Sequence, residues 1–95
     1  MGAGGASSGG TYVFHNLEKL DRIGKHNSRS DLYVNGKLKQ RRWYDYEGKA
    51  IHNRDYFHQN PKGDIKFPHD HTWNWINDKG VRSKGHDYPP DPNFK

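Results

Sequence analysis

Three histidines, His58, His69 and His71, and two tryptophans, Trp73 and Trp75, share one stretch, Asp55 to Trp75, which reads DYFHQNPKGDIKFPHDHTWNW. Just before it, residues 40–54 supply Arg41, Arg42, His52 and Arg54. Imidazoles carry protons near neutral pH, and guanidiniums grip phosphate through a fixed fork of donors. Together they point toward phosphodiester chemistry or nucleic-acid binding. Cleaving RNA without metal needs a base for the 2′-hydroxyl proton, an acid for the leaving 5′-oxygen and a cation beside the phosphorane. His58 with His69 or His71 supplies the acid and base, Arg42 or Arg41 the cation, and Asp55 a carboxylate to orient an imidazole.

His69-x-His71 on a strand puts both rings on one face, about 7 Å apart, with Trp73 and Trp75 in the same parity. Two other readings fit that pattern. In one, the tryptophans are core and the histidines its polar edge. In the other, His58, His69 and His71 hold a divalent metal such as zinc, with Asp55 as an alternative third ligand. Arg41-Arg42 also reads as a solvated strand face. His15, His26 and His86 read as surface. No serine nucleophile motif, phosphate-binding glycine loop or shielded carboxylate pair stands out.

The elements that must position these groups belong to one small domain. The chain has 95 residues, is 29% hydrophobic and carries +5, with no cysteine to form a disulfide or a thiolate metal site. Three Trp, six Tyr and four Phe compensate for scarce aliphatics, because each ring buries a large area. The basic balance steers toward nucleic acid or acidic partners, and no apolar run is long enough to span a membrane. Residues 1–10, MGAGGASSGG, read as a flexible linker or expression remnant, and 11–95 as the domain.

Phe14, Leu17, Leu20 and Ile23 recur every third residue, which predicts a short helix between an Asn16 cap and a Gly24 stop. Asn35-Gly36 predicts a hairpin between Asp31–Val34 and Lys37–Tyr44. A turn at residues 45–48 leads to a third strand, Ala50–Phe57. Gln59–Pro68 reads as a loop, His69–Ile76 as a fourth strand, and the proline-rich 86–95 as an extended tail. No internal repeat is visible. The expected fold is α+β, a short N-terminal helix packed on a four-stranded antiparallel sheet. With Gly48 left-handed and Asp45 facing Lys49, Trp43 should face Ile51, Arg42 His52 and Gln40 Arg54. Trp43, Ile51 and Phe57 then form the core face; Arg42, His52, Arg54, Tyr44 and Tyr56 form the site face.

The succession QRRWYDYEGKA, RDYFH, NPKG and FPHDHTWNW, covering roughly Asp31 to Trp75, resembles a short module of bacterial polymorphic toxin systems that also occurs in small phage-encoded proteins. The resemblance picks out Arg41, Arg42, Asp55, Tyr56, His58, His69, His71 and Trp73. It implies a nuclease toxin domain, neutralised by a dedicated immunity protein and delivered into a target-cell cytoplasm by a larger carrier, or cytoplasmic if phage-encoded. The chain departs from the pattern at His52, where an acidic residue is usual, and at Gln59, where glycine is. The loss of a carboxylate at position 52 tilts the reading away from metal. The expectation is therefore a metal-independent ribonuclease. It would bind RNA through Arg41, Arg42, Arg54, Tyr56 and Trp73 and pair with an acidic immunity protein. The alternatives are a metal-dependent nuclease and a non-enzymatic nucleic-acid-binding module.

Overall fold

The computed structural model describes residues 9–58 and 65–95. They form a six-stranded sheet in sequence order: β1 Gly10–His15, β2 Ser28–Val34, β3 Lys37–Tyr44, β4 Ala50–Asp55, β5 His69–Ile76 and β6 Lys79–Arg82. β1 runs parallel to β2, and every other neighbouring pair is antiparallel. Among the described residues there is no helix, so the α+β expectation and its four-stranded sheet are corrected to an all-β mixed sheet.

The error has a physical origin. Thr11-Tyr12-Val13-Phe14 is a run of β-branched and aromatic residues, which fits a pleated edge better than a helix start. A two-turn helix also has too few hydrogen bonds to repay its nucleation cost. Asn16 is left-handed, with φ 57°, and ends β1 instead of capping a helix. Residues 16–27 instead form an irregular crossover whose carbonyls are taken by other groups. Arg42 donates to the carbonyls of Leu20 at 2.7 Å and Asp21 at 3.2 Å, and the Tyr44 hydroxyl donates to that of Asp21 at 2.6 Å. The backbone of Ala50 donates to the carbonyl of Arg22.

The Asn35-Gly36 hairpin forms with both residues at positive φ, 51° and 80°, the pair of values a tight two-residue turn requires. The second turn also has its expected left-handed glycine, Gly48 at φ 81°, and Asp45 does face Lys49. Beyond it the register slips. Tyr44 pairs with Ala50 and Trp43 with His52, so a bulge absorbs Ile51. Arg42 then faces Asn53, Arg41 faces Arg54 and Gln40 faces Asp55. One residue of slip exchanges the faces of a strand. Ile51 and Phe57 are exposed instead of core, and His52 and Arg54 lie with Trp43 on the face opposite Arg42.

The two faces are both polar at their centres. Leu20, Leu32, Tyr44 and Ala50 are the buried apolar side chains among the described residues, whereas Arg42, His52, Asn53, Asp55, His69, Asp70 and His71 are also buried. The first face carries Gln40, Arg42, Asn53, Asp55, His69, His71 and Trp73, roofed in part by the crossover. The second carries Asp31, Arg41, Trp43, His52, Arg54 and Asp70. The tail lies across it, with the Phe94 ring stacked on His52 at 3.8 Å and Arg54 donating to the carbonyls of Asp91 and Phe94. The expected extended tail is thus a packed strap. Residues 1–8 of the expected linker, and 59–64 of the expected loop, lie outside the described residues.

The two turn glycines give a direct test of the crossover. An alanine Cβ at Gly36 meets open space, but at Gly48 it would run into the backbone carbonyl of Gly24. Gly36→Ala should cost only the left-handed penalty, roughly 1–2 kcal/mol. Gly48→Ala should cost about 1–3 kcal/mol more, because a backbone must shift. Urea midpoints of the two variants check this; equal losses would mean that residue 48 does not touch the crossover.

Candidate functional site

Alternation along β4 and β5 builds the site. Asp55 pairs with His69 and Asn53 with His71, so these four side chains leave the same face. His69 is 0% and His71 2% exposed, which is deep for imidazoles. Each ring is fixed from behind by a backbone carbonyl. His69 Nδ1 lies 2.9 Å from the Lys66 oxygen, and His71 Nδ1 lies 3.1 Å from the Ser83 oxygen. A carbonyl only accepts, so both Nδ1 atoms carry hydrogen and both Nε2 atoms are turned toward the site.

There they meet Asp55. Its Oδ2 lies 3.4 Å from His69 Nε2 and 3.4 Å from His71 Nε2, while its Oδ1 accepts from Gln40 Nε2 at 2.8 Å. Among the described residues, no group hydrogen-bonds to His69 Nε2, although it is buried. Burial alone would raise the Asp55 carboxyl. Contact with His71, the Gln40 hydrogen bond and the field of Arg82, whose Nη1 is 3.9 Å away, prevail and hold it at about 2. The exposed His86 ring closes the cluster, 4.6 Å from the centroid of His69 and 4.9 Å from that of His71. Its imidazole is pushed below its ordinary value by desolvation and by the surrounding His69, His71 and His58 rings. The His58 ring stands edge-on to His69 at 5.4 Å.

The cluster opens into a cleft of about 1240 Å³ whose lining includes Arg22, Lys39, Arg42, Lys79, Arg82 and Trp73. Arg42 reaches it from β3, but its donors are occupied: Nη1 by the two crossover carbonyls, Nε by Asn53 Oδ1 at 3.2 Å and Nη2 by Gln40 Oε1 at 3.5 Å. Burial lowers its pKa. It lies 4.9 Å over the Trp73 ring and gives the floor positive potential as it braces the crossover. Arg82, with a side chain 45% exposed, presents its guanidinium to the cleft.

Of the residues singled out by sequence, Asp55, His58, His69, His71, Arg42 and Trp73 come together on this face. Arg41 and Arg54 do not. Arg41 pairs with Asp31 at 2.8 Å and Arg54 with Asp70 at 2.8 Å on the opposite face. Tyr56 lies under the Arg41 guanidinium, 5.8 Å from it. His52 also faces away, bonded to Asp70 at 2.6 Å, so the missing carboxylate at position 52 would not have reached the cluster. Three groups were missed. Gln40 shares parity with Arg42 and was visible in that sense; Arg82 sits on β6, a strand not anticipated; and His86 arrives from a segment with no periodic signal.

No protein-family model matches the chain, and no curated protein or solved structure is significantly similar to it.

Proposed function

We propose that this domain is a nuclease that cleaves RNA at the Asp55, His69, His71 and His86 cluster, in the manner of the toxin modules its sequence resembles. The observation that supports this reading is the placement of a buried imidazole pair beside an accessible imidazole and Arg82, at the floor of a cation-lined cleft. Lys39, Lys79 and Arg22 draw the polyanion in, and Arg82 neutralises the scissile phosphate. In the direct reaction the 2′-oxygen bonds to phosphorus as the bond to the 5′-oxygen breaks. One imidazole takes the 2′ proton and another gives one to the 5′-oxygen, leaving a 2′,3′-cyclic phosphate and a 5′-hydroxyl. With no metal ion in the cluster, His86 and His58, beside the buried pair, are the residues able to carry those protons.

The partner such a module implies is an acidic immunity protein that covers the cleft, since charge complementarity speeds and orients association.

Incubation of the purified protein with total RNA and with single- and double-stranded DNA, followed by mapping of the ends, tests the proposal. Discrete RNA cleavage, blocked by an acidic cognate protein, is the expected result. Cyclic phosphate ends identify attack by the 2′-oxygen, and 5′-phosphate ends identify attack by water. RNA that is bound but stays intact would instead make the domain a nucleic-acid-binding module.

A further inference from the structure

We infer that His69, His71 and His86 bind one divalent transition-metal ion of the zinc class, with the Asp55 carboxylate that faces His69 and His71 as a further ligand. The inference deepens the nuclease reading, because it rests on the same site, but its evidence is independent of any substrate. With each Nδ1–H committed to a carbonyl, a neutral His69 and a neutral His71 both turn a lone pair toward the carboxylate of Asp55. Three such groups converging on one point present the arrangement a bound cation takes.

The separations favour a metal ion over a hydrogen-bonded proton. Both Nε2···Oδ2 distances are 3.4 Å, beyond ordinary hydrogen-bond length. Ligands held tetrahedrally at zinc's usual bond lengths stand about 3.3 Å from each other. A ring nitrogen from each of His69, His71 and His86 lies within 4.8 Å of the others, as do ligand atoms of Asp55, His58 and His69. His69, common to both groups, is the residue whose buried Nε2 has no hydrogen-bond partner among the described residues.

The surroundings are those a metal centre requires. Metal-ligating imidazoles characteristically donate their other N–H to a carbonyl or carboxylate, which fixes the tautomer; Lys66 and Ser83 provide this here. Gln40 holds Asp55 Oδ1 and so directs Oδ2 inward. Nitrogen-rich ligation selects zinc, cobalt or nickel over magnesium and calcium, which prefer oxygen. The exposed His86 sits on the cleft side, where an ion could enter.

The full chain, treated with chelator and dialysed, would be titrated with Co²⁺ while its visible ligand-field bands are followed, and then with Zn²⁺ in competition. One Co²⁺ per chain is expected, with the intense bands of a four-coordinate site, displaced by one Zn²⁺. His69→Gln and His71→Gln should each weaken binding by at least about a hundredfold, and the exposed His86→Gln by about tenfold. His26→Ala, in the crossover, should bind like the parent. Circular dichroism on each variant establishes that it is folded, and the surface variant His86→Gln keeps the test decisive if a buried one is not. Absence of stoichiometric binding, or parental affinity in folded His69→Gln and His71→Gln, would overturn the site. Stoichiometric binding with intact RNA would uphold the site and remove the nuclease reading. Cleavage by metal-free protein that takes up no Co²⁺ would do the reverse.

Discussion

Asp55→Asn is expected to lower RNA turnover by roughly a hundredfold to ten-thousandfold, the range lost when a positioned acid–base or charged group is removed. The same variant should be less stable than the parent near pH 8, because a carboxyl held at about 2 in the folded chain contributes stability at every pH above its unfolded value. Asparagine keeps an oxygen for Gln40 and places an amide where Oδ2 now faces His69 and His71. The amide keeps these contacts but not the charge that Arg82 and His71 favour, so the loss should be about 1–3 kcal/mol. Turnover on RNA and urea unfolding in chelator, both measured on the same preparation, check the pair of outcomes. Parental turnover would remove Asp55 from the reaction. Unchanged or higher stability would show that the fold does not favour the ionised carboxylate.

The parts of this molecule that were legible in sequence are those fixed by neighbours in the chain. Asn35-Gly36 dictates its own backbone, and the hairpin follows from it. His69 and His71 share a face because alternation is intrinsic to a strand, so their pairing needed no tertiary knowledge. Asp55 and His58 stand out for their chemistry; β4 delivers Asp55 to the cluster, and the segment just beyond its end delivers His58. The illegible parts depend on long-range pairing. The bulge at Ile51 leaves no local signature, yet it decides that Arg42 enters the site and that His52 and Arg54 leave it. The three-residue spacing of Phe14, Leu17, Leu20 and Ile23 imitates a helix, but β1 gains hydrogen bonds from β2, a partner that only the folded sheet supplies. His86 joins the cluster only because the segment after β6 returns beside β5, where Asp87 bridges to Asp70.

That same return carries the second large effect, on stability. Asp70 is fully buried behind the site, pointing to the face opposite its neighbours His69 and His71. Its carboxylate accepts from Arg54 Nε at 2.8 Å and Nη2 at 3.1 Å, from the backbone of Asp91 at 2.9 Å, and contacts His52 Nε2 at 2.6 Å. Burial would raise its pKa, but Arg54, His52 and the Asp91 amide overcome this and depress it. Removing one partner of a buried ion pair strands the other, at a cost of about 3–5 kcal/mol. Small domains have total stabilities of roughly 5–15 kcal/mol, so Asp70→Asn should bring this one close to unfolding at room temperature. The strap should loosen with it, because Asp91 loses its anchor and Phe94 its ordered His52 platform. The sign with pH follows from the depressed value. The carboxylate's contribution is complete above its unfolded pKa, near 3.9, and disappears as pH falls through the lower folded value. The gap between parent and Asp70→Asn should therefore be constant from neutral pH to about 5 and close under stronger acid. Urea midpoints across that range, with tryptophan fluorescence reporting Trp43 beneath Phe94, measure both effects. A gap below about 1 kcal/mol at neutral pH would show that the pair holds neither the strap nor the sheet, and that the second face is stabilised by its aromatic stacking alone.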